Sequence, residues 1–195
     1  MDKQVLFFHD EPPRDNEAIH IWLGAPTASH EMALHQVLSR YLGTSSFTID
    51  ENAQGKHYLL DSSLHFNLSH SGEWLAIALS WEAPVGVDIE VIRPIDGVKQ
   101  LILDHFSAKE QAYIGIPDIW DRDEACFRFW EIWSRKEACL KALGIGLQES
   151  LKGWDCFGDD WVNVNKVWVK SVPTKYPLSL AVAIDACSRD SSCKG

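Results

Sequence analysis

The chain has few basic residues for its size, and this shortage excludes several classes of protein. Its 195 residues carry 18 Lys and Arg against 28 Asp and Glu, a formal net charge of -10. Nucleic acids and anionic membrane surfaces repel such a chain unless a local basic patch outweighs the total. We therefore expect no nucleic-acid partner and no membrane partner. A polyphosphate ligand would need a few specific cations or a metal ion.

Closely spaced cysteine pairs and long apolar runs are missing as well. The five cysteines include no CxxC pair, which disfavours a zinc site or a disulfide framework and fits a reducing compartment. The apolar run Val5–Phe8 is too short for a signal peptide, and no later stretch reaches the length of a membrane span. The sequence predicts a cytoplasmic protein.

Hydrophobic residues are plentiful, at 46% of the chain, and their periodicity predicts several helices. An amphipathic helix is predicted for 29–42, with Ser29 as its N-cap, Met32 on its apolar side and Gly43 as its stop. A second helix is predicted for 94–106, and a capping box at 107–110 starts a third. The longest helix is predicted for 122–143.

Strands are predicted around these helices, with a polar loop at 69–72 between two of them. The predicted strands are 5–8, 18–23, 47–49, 64–68, 74–81, 85–91, 154–157, 162–169 and 178–184. Segments of strand and helix thus occur twice, with a break near 82–84. This order indicates an α+β fold with two halves.

Two acidic residues stand two positions apart in the strand predicted for Val85–Val91. Because successive strand side chains point to opposite faces, Asp88 and Glu90 share one face, while Val87 and Ile89 point into a core. Neighbouring carboxylates repel each other, and Mg²⁺ or Mn²⁺ would relieve that repulsion. The spacing is common, however, and by itself it favours a solvated face or pairing with a nearby arginine.

The longest predicted helix carries a second charged group, WSRKEACLK at 133–141. Glu137 and Lys141 are four positions apart and therefore share a helix face. Considered alone, they favour a surface ion pair worth about 0.3–0.5 kcal/mol. Arg135 and Lys136 likewise favour an ordinary charged face.

Together, the two motifs resemble the paired signature of 4'-phosphopantetheinyl transferases. GVDIE at 86–90 and WSRKEACLK are similar to that family's G-[VI]-D and W-[ST]-x-K-E-x-x-x-K motifs, in the same order. Further segments resemble other family motifs: Asn52, Gly55 and Lys56; FNLSHSGEWLAIAL at 66–79; FSAKE at 106–110; and LGIGL at 143–147. The resemblance extends over about half of the chain.

The resemblance implies a fold and a reaction. Sfp-type members are α+β pseudo-dimers of two similar halves in one chain, each a small antiparallel sheet packed with a long helix. The expected division is an N-terminal half at 1–83, a C-terminal half at 84–187 and a flexible tail at 188–195, in a monomer. The implied reaction moves the 4'-phosphopantetheine arm of coenzyme A to a serine of an apo acyl or peptidyl carrier protein and releases 3',5'-ADP.

Roles for single residues also follow from the resemblance. The implied Mg²⁺ ligands, with Mn²⁺ as a possible replacement, are Asp88, Glu90 and Glu137. The residues implied to bind coenzyme A are Lys136 and Lys141 at the pyrophosphate and Lys56, Ser69 and His70 at the 3'-phosphate end. Glu137, or a water that it orients, would take the serine proton, and the catalytic group would be Glu137, Asp88 and Lys141.

The sequence departs from the family pattern in its first third. No Lys or Arg occurs between Arg14 and Arg40, where Sfp-type members usually carry a basic segment, and His57 replaces the expected proline after Lys56. His30, His35 or Arg40 could compensate for the missing basic residues, and the sequence does not choose among them.

Two rival functions stay open from the sequence. One is a Mg²⁺-dependent phosphohydrolase that uses Asp88 and Glu90. The other is a non-catalytic relative that binds coenzyme A or carrier proteins without transferring the arm.

Overall fold

Two four-stranded sheets, a two-stranded ribbon and four helices make up the part of the chain that the structure describes. It is a computed structural model and describes residues 1, 3–8, 15–115, 124–146 and 150–185. The strands are β1 (Val5–Phe8), β2 (Ile19–Gly24), β3 (Ile49–Glu51), β4 (His57–Leu59), β5 (His65–Ser71), β6 (Trp74–Ser80), β7 (Val85–Val91), β8 (Val162–Val164), β9 (Val167–Ser171) and β10 (Leu178–Asp185). The helices are α1 (His30–Leu42), α2 (Val98–His105), α3 (Ala108–Ile114) and α4 (Glu124–Leu143).

The first sheet has the strand order β1-β2-β6-β5 and packs against α1. Its strands pair antiparallel except β1, which runs parallel to β2. The expectation of a wholly antiparallel sheet is therefore wrong for β1. The Ser29 hydroxyl caps the start of α1, and Gly43 ends it in the left-handed conformation, which confirms both predictions. Met32 is 57% exposed, so its predicted place on the apolar side is wrong. The buried stripe of α1 consists of Ala33, Leu34, Val37 and Leu38.

The second sheet has the order β7-β10-β9-β8 and is antiparallel throughout. The helix α4 packs across β7 and β10. Its approach to β7 requires Gly86, where a Cβ atom would lie 2.1 Å from the carbonyl oxygen of Ala138 and 2.4 Å from the amide nitrogen of Ala142. This close contact brings the last turns of α4 beside β7.

The two sheets meet where β5 faces β7, and side chains rather than backbone groups join these edge strands. Asn67, Ser69 and Ser71 are alternate residues of β5, so they share one face. Their side-chain oxygens accept hydrogen bonds from alternate β7 amides at 2.9, 3.4 and 3.1 Å. The polar loop predicted at 69–72 is therefore wrong for 69–71, which belong to β5. Ser69 and Ser71 are buried because their side chains satisfy the amides of a second strand.

Other expected elements also differ. Residues 154–157 form no strand, because their backbone bonds to the buried side chains of Glu110, Arg135 and Lys136 instead of to a neighbouring strand. The strand predicted for 162–169 is divided into β8 and β9 by a turn with positive φ at Asn165 and Lys166. The helix predicted from residue 94 begins at Val98. The predicted tail at 188–195 lies outside the described residues.

Strands and helices are mixed and the sheets are mainly antiparallel, which confirms the predicted α+β class. The capping box that starts α3 is present at Ser107 and Glu110, as predicted. Among the described helices, none combines the length and the apolar character needed to cross a membrane.

Candidate active site

A cavity of about 670 Å³ opens where the two sheets meet. Its walls come from the loop between β3 and β4, from β5 and β7, and from the second half of α4. Seven of the eight residues predicted for the site line this cavity: Lys56, Ser69, His70, Asp88, Glu90, Glu137 and Lys141. Side chains that lie far apart in the sequence therefore line one open cavity.

Asp88 is only 3% exposed, and one of its oxygens receives two donors. Lys141 Nζ lies 2.7 Å from Asp88 Oδ1, and the Ser69 hydroxyl donates to the same oxygen at 3.0 Å. Lys141 Nζ also donates to Ser69 Oγ at 2.8 Å. Burial raises the pKa of Asp88, and the Lys141 charge opposes that rise. A single carboxylate oxygen thus joins β5, β7 and α4.

Glu90 is held in the same manner by the next serine of β5. Ser71 Oγ donates to Glu90 Oε2 at 2.6 Å. Burial raises the pKa of Glu90, this hydrogen bond lowers it, and the charge of Asp88 raises it further. Ser71 was not among the predicted site residues, although its spacing from Ser69 matches that of the two acids and could have revealed it.

Glu137 enters the cavity from α4, one turn before Lys141. Burial raises its pKa to about 7; the charges of Asp88 and Glu90 add to the rise, and that of Lys141 opposes it. Glu137 Oε1 and Asp88 Oδ2 are both buried and have no hydrogen-bond partner within the described residues. Lys141 and Ser69 compensate only Asp88 Oδ1, so these two oxygens can still take a further donor or cation.

The chemistry of these side chains fits Mg²⁺ or Mn²⁺, which prefer hard oxygen ligands. Asp88 and Glu137 each offer a buried oxygen that has no hydrogen-bond partner among the described residues. Across the described ranges, however, no three His, Cys, Asp or Glu side chains are already gathered as metal ligands. Asp88 Oδ1 and Glu90 Oε2 are instead held by serine and lysine donors, so the carboxylates would have to shift to share one ion.

Lys56 also lines the cavity, but its ammonium group is already engaged. Its Nζ donates to the backbone carbonyls of Val85, Lys141 and Ala142 at 3.2, 2.7 and 2.6 Å. An ammonium group has three N–H donors, so these carbonyls take all of them. Burial lowers the pKa of Lys56 to about 8, and the charge of Asp185 opposes that fall. The arrangement does not support the predicted phosphate contact; it makes Lys56 a cap on the end of α4.

His70 is exposed at the cavity wall and lies against another imidazole. The ring centroids of His70 and His30 are 4.5 Å apart, with the planes tilted by 35°. His30 is the first residue of α1 and was one of three candidates for replacing the missing basic segment. The contact of His70 with a 3'-phosphate stays a prediction.

Lys136 is the one predicted site residue that the structure does not bring to the cavity. Its side chain is fully buried and forms an ion pair with Glu110 at 2.8 Å. Its Nζ also donates to the carbonyl oxygens of Leu151 and Trp154 at 2.9 and 2.5 Å. This arrangement does not support the predicted pyrophosphate contact of Lys136, because all three N–H groups bond inside the protein.

Comparison with known proteins gives the family. A family model described as the 4'-phosphopantetheinyl transferase superfamily matches residues 84–186, more than half of the chain. The chain belongs to the 4'-phosphopantetheinyl transferase superfamily. The match includes Asp88, Glu90, Glu137 and Lys141, the four charged cavity residues that come from β7 and α4.

Individual members of the superfamily are similar over shorter stretches. The 4'-phosphopantetheinyl transferase psf-1 of Bacillus pumilus is 40% identical over 93 residues, which cover 47% of this chain and 37% of that protein. The 4'-phosphopantetheinyl transferase AcpT of Salmonella typhimurium is 44% identical over 78 residues, which cover 40% of this chain and 41% of AcpT. HetI of Nostoc sp. is 33% identical over 121 residues, 58% of this chain and 49% of its own. The matched region thus spans less than half the length of each of these relatives.

Proposed function

We propose that this chain transfers the 4'-phosphopantetheine arm of coenzyme A to a serine of an apo acyl or peptidyl carrier protein. This is the reaction of a holo-acyl-carrier-protein synthase. The observation that carries the proposal is the cavity in which three buried or half-buried carboxylates and Lys141 meet, in a chain of this superfamily.

The residues of the cavity divide the tasks of binding and transfer. Lys141 is the cation nearest to the carboxylates, and we assign it to the pyrophosphate of coenzyme A. His70 lies along the wall formed by β5 and would contact the 3'-phosphate end. The predicted Ser69 contact is not assigned, because the Ser69 hydroxyl already donates to Asp88 and accepts from Lys141. Lys136 and Lys56 are not assigned to the ligand, because their ammonium groups bond inside the protein.

The reaction forms a bond between the carrier serine oxygen and the phosphorus that carries the pantetheine arm. The bond from that phosphorus to the bridging oxygen breaks, and 3',5'-ADP leaves with the electron pair. Glu137, directly or through a water, accepts the serine proton. Bound Mg²⁺, held by Asp88, Glu90 and Glu137, would supply charge neutralisation at the pyrophosphate.

Mass spectrometry of a carrier protein tests the proposal. The chain is incubated with coenzyme A, Mg²⁺ and a panel of apo carriers, and at least one carrier should gain the mass of one phosphopantetheine arm. The gain should vanish when the carrier serine is replaced by alanine. Release of 3',5'-ADP without a mass gain would indicate a phosphohydrolase instead, and binding without either product would indicate a non-catalytic relative.

Matched variants test the assignment of the carboxylates. Asp88→Asn and Glu137→Gln should each slow the transfer by about 10²-fold or more while circular dichroism stays unchanged. Glu73→Gln is the control, because Glu73 is exposed in the turn between β5 and β6 and does not line the cavity. Normal transfer by the Asp88 and Glu137 variants would contradict the assignment.

A further inference from the structure

Lys141 forms an ion pair with Asp88, a carboxylate that the proposed reaction needs as a metal ligand. Its Nζ is 2.7 Å from Asp88 Oδ1 and 2.8 Å from Ser69 Oγ. Asp88 is almost fully buried, so little solvent screens this ion pair. In the chain without ligands, part of the negative charge that would attract a divalent cation is thus already neutralised.

Lys141 differs in this respect from Lys56 and Lys136. Lys56 donates only to backbone carbonyls, and Lys136 pairs with Glu110 away from the cavity. Among the lysines of the described chain that line the cavity, Lys141 is therefore the one that neutralises a cavity carboxylate. Two of its three N–H groups point to Ser69 and Asp88, and an arriving phosphate anion would compete for the same ammonium group.

We infer that Lys141 keeps the metal affinity of the empty site low and that a pyrophosphate-bearing ligand releases this restraint by drawing the ammonium group from Asp88. Metal and ligand then strengthen each other's binding, since coupling between two sites is reciprocal. The inference rests on the proposed function, because it takes coenzyme A as the ligand and the carboxylates as the metal site. Lys141 acts here on metal binding through Asp88, in addition to its proposed contact with the pyrophosphate.

Binding of Mn²⁺ to the chain without coenzyme A tests the restraint directly. Free Mn²⁺ is measured by electron paramagnetic resonance for the wild type, Lys141→Met and Lys141→Arg. We expect Lys141→Met to bind Mn²⁺ at least about fivefold more tightly than the wild type, the lower end of typical coupling between sites. Lys141→Arg keeps the charge and should stay within about twofold of the wild type. Lys99→Met removes an exposed charge on α2 and should also change nothing.

Unchanged or weaker Mn²⁺ binding by Lys141→Met would overturn the inference, and so would equal tightening by Lys141→Arg. Circular dichroism establishes that the variants are folded. If Lys141→Met does not fold, Lys141→Gln, which also removes the charge, is measured in its place against the same expectation.

The same measurement with coenzyme A tests the coupling. Coenzyme A should tighten Mn²⁺ binding at least about fivefold in the wild type and by a clearly smaller factor in Lys141→Met, after correction for Mn²⁺ bound by coenzyme A alone. Equal factors would overturn the coupling. Calorimetry with coenzyme A distinguishes failure of the proposed function from failure of the inference about Lys141. Absence of coenzyme A binding contradicts the proposed function. The effect of Lys141 on Mn²⁺ affinity is measured without coenzyme A and is decided separately.

Discussion

Lys136 Nζ lies 2.8 Å from Glu110 Oε2, and neither side chain is exposed. The pair joins α3 to α4, and both partners also bond to the segment that follows α4: Lys136 to the carbonyls of Leu151 and Trp154, and Glu110 to the amide of Cys156. Lys136, which belongs to the WSRKEACLK motif, therefore links α3, α4 and the segment after α4. We expect its replacement to act on folding.

Lys136→Met should destabilise the protein by about 3–5 kcal/mol, because it leaves the Glu110 carboxylate buried without its cation. The double variant Lys136→Met, Glu110→Leu should be less destabilised than the sum of the two single variants, since it leaves no unpaired charge. Urea unfolding of the four proteins measures both effects. A loss below about 0.5 kcal/mol for Lys136→Met would contradict the buried pair.

Gly86→Ala should also lower the stability of the protein strongly, because the new methyl group would collide with the backbone of α4 at Ala138 and Ala142. Overpacking of this kind costs about 1–3 kcal/mol or more, and the collision involves backbone atoms that cannot move aside singly. Gly153→Ala is the matched control, since nothing lies within 4 Å of its Cβ position. Thermal unfolding should separate the two variants, and similar melting temperatures would refute the close approach of α4 to β7.

His20 predicts a loss of stability in acid. It is fully buried, its Nδ1 lies 2.5 Å from the Tyr41 hydroxyl oxygen, and burial lowers its pKa from 6.5. The unfolded chain takes up a proton as the pH falls through 6.5, whereas the folded chain resists it until a lower pH. Unfolding therefore binds a proton in this window, and stability that is present above pH 6.5 is lost as the pH falls.

The measurement is the free energy of unfolding between pH 7.5 and 5 for the wild type and His20→Gln. The wild type should lose more stability over this range than the variant, because glutamine does not titrate. His57→Gln, at an exposed histidine of β4, is the control and should follow the wild type. Identical pH profiles for the wild type and His20→Gln would contradict the assignment.

The parts of the fold that depend on local sequence could be predicted from it. Ser29 and Gly43 bound α1 through groups within one turn, so their residue types suffice. The hydrogen bonds of the β5 serines could not be predicted in the same manner, because they reach β7, about 20 positions further along the chain. Lys136 could not be predicted either, because its partners come from α3 and from the segment after α4.

The candidate site shows the same division. The strand alternation that places Asp88 and Glu90 on one face is local, and both residues line the cavity. The charge of a lysine, by contrast, does not reveal whether it meets a ligand or the protein's own backbone. Lys56 resembles a ligand-binding residue in the sequence, yet the carbonyls at the end of α4 occupy its donors.

Lys56→Met should therefore weaken the end of α4 rather than the recognition of a phosphate group. Loss of an ammonium group that donates to three carbonyls should cost about 1–3 kcal/mol in urea unfolding. Lys152→Met, at an exposed lysine, should stay within about 0.5 kcal/mol of the wild type.

The ratio of affinities for coenzyme A and 3'-dephospho-coenzyme A decides whether Lys56 also contacts the 3'-phosphate. If Lys56 only caps α4, the folded Lys56→Met variant binds the two ligands with the wild-type ratio of affinities, because no contact to the 3'-phosphate has been removed. His70→Ala should lower that ratio by about tenfold or more, as expected for loss of one hydrogen bond to a charged group. Calorimetry with both ligands measures the ratio. A lower ratio for Lys56→Met would show that Lys56 does contact the 3'-phosphate. Loss of a helix cap alone should weaken the binding of both ligands equally, because they differ only at the 3'-position.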